Sequence, residues 1–290
     1  AAALSQAGHA GAGPGLTGCA AIGGGKLRHD TGSHVDVKGE HLVAGLTVAR
    51  PTQTGEIALS IFVEHGEGNY DTYNRFANLA SVHGKGDTDY TGAGLFTRLK
   101  TGETKQGHGY AEASARLGRV KVNFKARDLS DDDGTRAAYD SAARYVGAHV
   151  GAGYQWNLSE SAALDLYARY LWTHQGGDTV RLSTGDPLKF EAVDSQRTRL
   201  GARWKQTVAQ GTDFYLGAAW EREYDGKARA VGNGAYRLDV PDLRGDTGLV
   251  EAGVSVTPSP KRPLSLDFGI QGHAGKREGV TGSFRLNYRF

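Results

Sequence analysis

One cysteine, no methionine and seven prolines in 290 residues remove several options at once. Cys19 alone cannot close an intrachain disulfide, and it lacks the companions of a structural zinc site. Without a methionine, the chain reads as either trimmed from a longer precursor or lacking its initiator residue. No apolar run exceeds four residues, as in Cys19-Ala20-Ala21-Ile22, whereas a transmembrane helix needs about 20. Neither charge sign dominates: 34 Lys+Arg against 32 Asp+Glu leave a formal +2, which argues against a nucleic-acid footprint. The Ala/Gly-rich stretch 1–15 has neither the basic start nor the apolar core of a signal peptide. The 43 glycines come with too little proline for a collagen or a proline-rich disordered chain.

What is present is alternation. Leu164, Leu166, Ala168, Tyr170 and Trp172 are separated by Asp165, Tyr167 and Arg169, and the pattern returns in 198–205 and 213–223. A period of two belongs to a strand with unlike faces. About twelve such segments follow from the strand criteria: 16–30, 33–50, 55–70, 87–100, 107–127, 142–157, 161–174, 193–207, 213–225, 246–257, 264–275 and 281–290. In the fifth, Ala111, Ala113, Ala115 and Leu117 are odd but Val122 and Phe124 even, which predicts a bulge near Gly118. Short links (51–54, 101–106, 158–160, 208–212, 258–263) alternate with long ones (71–86, 128–141, 175–192, 226–245), the pattern of an outer-membrane barrel. The links at 31–32 and 276–280 are short out of turn.

The two faces differ in chemistry. One is apolar. The other carries Glu56, Glu64, Glu112, Arg116, Asp165, Arg169, Arg199, Arg203, Glu221, Glu251, Asp267, Arg285 and Arg289. A soluble barrel such as a lipocalin is apolar inside and tends to eight strands; charges of both signs inside about twelve strands suit a polar lumen surrounded by lipid. Trp156, Tyr170, Trp172, Trp204, Trp220 and Tyr224 fall towards strand ends on the apolar face, where an interfacial aromatic girdle is expected. The predicted fold is therefore an all-β, transmembrane, antiparallel up-and-down barrel in a Gram-negative outer membrane (16–290), preceded by a linker or the end of a lumen helix (1–15). The last strand stops at Phe290, leaving no tail for another domain.

Three blocks carry a resemblance to a family: Gly24 to Gly39 (GGKLRHDTGSHVDVKG), Phe62 to Tyr70 (FVEHGEGNY) and Asp267 to Phe290. In this order they resemble the classical autotransporter translocator domain. The resemblance implies a twelve-stranded barrel that carries an N-terminal passenger of the same polypeptide to the cell surface by type V secretion. It also implies help from the barrel assembly machinery, with Phe284, Leu286, Tyr288 and Phe290 as assembly signal. Some members cleave the passenger between two asparagines inside the barrel. Here the first asparagine is Asn69, so no catalytic residue is carried over.

A porin-like channel or adhesive barrel without passenger would have the same lumen, and is the alternative. A phospholipase barrel needs Ser and His facing lipid, but His41, His149 and His273 fall on the lumen parity. An omptin-like protease would rest on His174 with Asp178 alone. Gly13-Pro14-Gly15-Leu16-Thr17-Gly18 matches G-x-G-x-x-G without its strand–helix context. Asp131-Asp132-Asp133-Gly134 lacks the spaced ligands and final Glu of a calcium loop. No enzyme activity, cofactor, metal or nucleic acid is expected; outer-membrane lipids are, with the barrel a monomer.

Overall fold

The computed structural model describes residues 15–74, 81–233, 236–237, 241–258 and 264–290. Twelve long antiparallel strands form the wall: β1 (Gly15–Asp30), β2 (His34–Thr52), β3 (Gly55–Asn74), β4 (Val82–Thr101), β5 (Gly107–Ser130), β6 (Arg136–Asn157), β7 (Ala162–Gln175), β10 (Val193–Ala209), β11 (Thr212–Glu223), β14 (Gly245–Val256), β15 (Leu264–Gly275) and β16 (Arg277–Arg289). Four short ones, β8 (Asp178–Arg181), β9 (Pro187–Phe190), β12 (Ala230–Gly232) and β13 (Tyr236–Arg237), form a separate sheet in the long-loop connections. Each wall strand pairs with its neighbour in sequence, and β1 pairs with β16 to close the barrel. Closure is what a β structure in lipid requires, since hydrocarbon offers no partner to an unpaired strand edge.

Alternation sets the orientation of every strand. Leu59, Ile61 and Val63 on β3, Leu95 on β4, Leu117 on β5 and Val250 on β14 point outward, with 56–65% of their surface exposed. They form a continuous apolar belt whose burial is left to lipid. Inside, Val43, Phe62 and Phe96 pack into a small apolar cluster that includes the free thiol Cys19.

Several strands run further than the alternation indicated. β4 begins at Val82 rather than 87, β6 at Arg136 rather than 142, and β16 at Arg277 rather than 281. All three extensions lie at the long-loop end, where the outer face meets water and an apolar/polar period has no cause. The bulge expected near Gly118 does not exist: β5 keeps one register with β4 from Tyr110 to Lys125 and with β6 from Gly107 to Lys125, and shifts only between Lys125 and Ser130. Val122 and Phe124 share the inward face of Glu112 and Arg116, and Phe124 stacks on Tyr139, which meets Phe190 of β9. What changes at Gly118 is the outer environment, from lipid to water, and Arg119, Lys121 and Lys125 take the outward positions. The link at 276–280 shrinks to Lys276. The linker or helix end expected at 1–15 lies outside the described residues up to 14; of the glycine motif at 13–18 the first two residues do too, and Gly15 to Gly18 are the start of β1.

Candidate functional site in the barrel lumen

Inward side chains divide the lumen into two walls. On β1–β4 many are small: Ala21, Gly23, Gly25, Gly39, Gly45, Gly66 and Gly68. Most inward charges stand on the wall strands from β5 to β16, and they form an ion-pair network that takes in Glu64 of β3, with Arg98 of β4 beside it. Arg116 bonds Glu64 through Nη1 at 3.1 and 3.2 Å, and the Tyr145 hydroxyl donates to the same carboxylate at 2.7 Å. Arg169 donates from Nε to Glu112 at 2.8 Å, with His149 Nε2 3.5 Å from that oxygen. Arg203 holds Glu251 with two bonds of 2.7 and 3.0 Å. Arg199 binds Glu221 at 2.7 and 2.8 Å, and Arg197 and Arg277 converge on the same carboxylate. Tyr110 donates to Asp165 at 3.0 and 3.1 Å, while Arg98 lies over the Tyr110 ring, 4.1 Å from its centroid. Asp267 accepts from Ser255 at 2.5 Å and lies 3.8 Å from Arg285. Glu56 and Arg289 stand at the short-turn rim, Arg289 exposed.

Several of these contacts skip a strand, Arg116–Glu64 across β4 among them, and two ion pairs do so along a single cross-strand row. Glu112, Gly151 and Arg169 are successive cross-strand partners on β5, β6 and β7; Arg203, Gly217 and Glu251 are the same on β10, β11 and β14. The central residue must be glycine. A Cβ at Gly151 would stand 2.9 Å from Arg169 Cγ, and one at Gly217 2.5 Å from Glu251 Oε1. Tyrosines use the same gap: Tyr145 lies over Gly92 and Gly118, Tyr110 over Gly153, Tyr167 over Gly201 and Tyr215 over Gly253. Seven of the 43 glycines sit in these places of close approach.

The aromatics expected at the interfaces face outward. Trp156 and Trp204 flank Leu164 in one cross-strand row near the short-turn rim. Towards the other rim, Tyr170 donates to Gln196 at 3.0 Å, Trp172 Nε1 to Asp194 at 3.1 Å and Trp220 Nε1 to Asp246 at 3.0 Å; Tyr224 follows two outward positions after Trp220. Each of these three rings thus has an apolar body and a satisfied polar tip. Phe284, Leu286 and Tyr288 lie on the outward parity of β16; the Phe290 amide donates to Leu16 O at 2.9 Å, securing the chain end to β1.

His174 and Asp178 are not brought together. His174 Nδ1 pairs with Asp194 at 3.1 Å, whereas Asp178 accepts from the Ser141 hydroxyl and the Ala142 and Thr179 amides. Those bonds hold the Asp178 carboxyl below its ordinary value and tie the β8–β9 hairpin to the edge of β6. In the loop before β14, the Arg244 guanidinium pulls Asp242 down to about 2. Asp131 to Gly134 is a tight turn closed by the Thr135 amide on Asp131, and among the described residues no metal-binding cluster is found. Arg98, Tyr110 and Arg277 are not marked out by the sequence. The first two have the inward parity, but the third lies in an expected link.

A closed twelve-stranded wall, apolar outside and charged within, defines an outer-membrane β-barrel. The autotransporter β-domain model matches residues 19–269, and the chain belongs to that family. No curated protein matches its sequence. Among solved structures it is similar to the transport unit of AIDA-I from Escherichia coli (15% identity, 97% of this chain and 92% of that one, TM-score 0.72). It is also similar to the translocator domain of NalP from Neisseria meningitidis (14%, 100% and 93%, 0.71) and the β-domain of Bordetella BrkA (17%, 95% and 100%, 0.69). The chain is thus the translocator barrel of an autotransporter, anchored in the Gram-negative outer membrane and enabling an N-terminal passenger of the same polypeptide to reach the cell surface. Translocator domains are non-enzymatic barrels.

Proposed function

We propose that the passenger moves along the wall of β1–β4, and that the charged wall opposite holds the lumen open while it passes. The observation that carries this is the asymmetry itself. Carboxylates and guanidiniums of the far wall are engaged with one another, while the near wall, beside the buried Glu64, Arg98, Phe62 and Phe96, presents small residues, of which Ala21, Gly25, Gly39 and Gly68 border a cavity of about 430 Å³ that also meets Val37, His41 and Arg277. A wall of small side chains offers a sliding chain little to grip.

The remaining roles are proposed with it. Trp156, Tyr170, Trp172, Trp204, Trp220 and Tyr224 fix the barrel's height among outer-membrane lipids, because indole and phenol rings favour the interface. Phe284, Leu286, Tyr288 and Phe290 are read by the barrel assembly machinery. Residues 1–15 link the barrel to its passenger, and the barrel acts as a monomer without chemistry of its own. A photo-crosslinking residue at position 41 should trap a stalled passenger, whereas one at the outward position 61 should not. Absence of crosslinks from 41 would overturn the route.

A further inference from the structure

Arg119 on β5 and Arg144 on β6 are direct cross-strand partners. The pair immediately below them, Leu117 and Val146, is outward, 65% and 41% exposed, and no bulge intervenes. The two arginines therefore point outward side by side, and both are exposed. Like charges directly opposite on one face destabilise a sheet. Among the described residues neither makes an ion pair or a side-chain hydrogen bond. On the flanking wall strands the neighbours of Arg144 on this face are Arg119, Leu117, Lys121 and His174, none of them acidic; Asp178 of β8 reaches the Ala142 amide, two residues from Arg144. Arg119 has Thr91 on its other flank; Asp89, diagonal to it, stands opposite Lys121. Asp178 acts on Arg119 from β8, but its carboxylate is already occupied by Ser141, Ala142 and Thr179.

The height of the pair identifies its partner. Trp172 lies opposite Ala148, four residues down β6 from Arg144. At about 3.3 Å per residue and a tilt of about 40°, that is roughly 10 Å of height above the tryptophan. Tryptophan settles at the membrane–water boundary, so the guanidiniums stand among the headgroups of the outer leaflet, with apolar Leu117 and Val146 below them.

We propose that Arg119 and Arg144, with Lys121 beside them, bind the phosphate groups of a phosphorylated glycolipid of the outer leaflet. A planar guanidinium presents paired donors that match phosphate oxygens. Two of them side by side suit a dianionic headgroup, which would also relieve their mutual repulsion.

The test uses the full 290-residue chain folded in detergent micelles. It is titrated with lipid A bearing both phosphates, with the dephosphorylated lipid, and with inorganic phosphate; the unfolding temperature is read from the heat-induced shift in gel mobility. Bis-phosphorylated lipid should raise the unfolding temperature, and the other two should not. Arg119→Gln/Arg144→Gln should need about tenfold more lipid for the same rise, while Arg119→Lys/Arg144→Lys keeps most of the response. Arg222→Gln, on the same rim but paired with Asp246 at 3.1 Å, should behave as the unmodified chain. Arg144→Gln alone removes the repulsion and so guards against a folding failure; it must lose the response too. An undiminished response in the Gln variants overturns the proposal. So does an equal response to dephosphorylated lipid, or a shift reproduced by inorganic phosphate, which would mark a site for free anions.

Discussion

The Arg203–Glu251 pair lends itself to a quantitative test. Its side chains are only 13% and 9% exposed, the guanidinium also faces the Tyr215 ring at 4.9 Å, and the pair crosses β11 above Gly217. Two unit charges about 4 Å apart attract by about 4 kcal/mol at an effective dielectric of 20. Desolvation of both ions takes back part of that, leaving about 2 kcal/mol of coupling. Arg203→Gln and Glu251→Gln each leave one charge without its partner and should cost about 3 kcal/mol. The double variant should cost about 4 kcal/mol, less than the sum by the coupling. The rim pair Lys205–Asp213 is as short, 2.8 Å, but its side chains are 45% and 24% exposed; it should couple by no more than about 0.5 kcal/mol. Urea unfolding in micelles, followed by the fluorescence of the four tryptophans, measures both cycles. Additive costs at Arg203 and Glu251, or equal coupling at the rim, would refute the view that the lumen network stabilises the wall.

Gly217→Val should cost about 2–3 kcal/mol, since its Cβ would stand 2.5 Å from Glu251 and 3.0 Å from the Ala202 carbonyl. Gly248→Ala, whose Cβ would meet nothing nearer than 3.8 Å, should stay within about 0.5 kcal/mol; equal unfolding midpoints for the two would count against the gap argument. The Asp178 carboxyl is lowered in the folded chain, so the hairpin's attachment is fully present above the ordinary value of about 3.9 and is lost as pH falls through the lower folded value. Protection of the Ala142 amide should accordingly be flat from pH 7 to 5 and decline only in stronger acid, whereas Asp178→Ala should show low protection throughout; protection that falls near neutral pH would contradict the assignment. Deleting Phe290 should lower the yield of barrel in cells while refolding in detergent stays nearly unchanged, and an unaltered yield would remove it from the assembly signal.

The sequence displayed what lipid enforces. All twelve wall strands were visible, with their inward and outward parities outside the second half of β5 and with most of the loops sorted, because an apolar belt facing hydrocarbon leaves a period of two in the residues. Beyond the belt that constraint ends. The starts of β4, β6 and β16 and the small sheet of β8, β9, β12 and β13 lie where both faces meet water, and there the pattern falls silent. Val122 and Phe124 misled for the same reason: they kept their face while the surroundings changed. The partners in the lumen were not legible either. Glu112 finds Arg169 and Arg203 finds Glu251 through registers that join three strands, and no single segment contains that information.

Sliding one strand by two residues past its neighbours would keep every outward side chain outward and nearly all ladder bonds intact, so the lipid face cannot detect such an error. The bridged rows can. Moved by two, β11 would bring Tyr215 or Ala219 beneath the Arg203–Glu251 bridge in place of Gly217, and the bridge could not close. Glycines under the ion pairs should therefore disfavour such a slip, since the native pairing is the one in which each gap lies beneath its span.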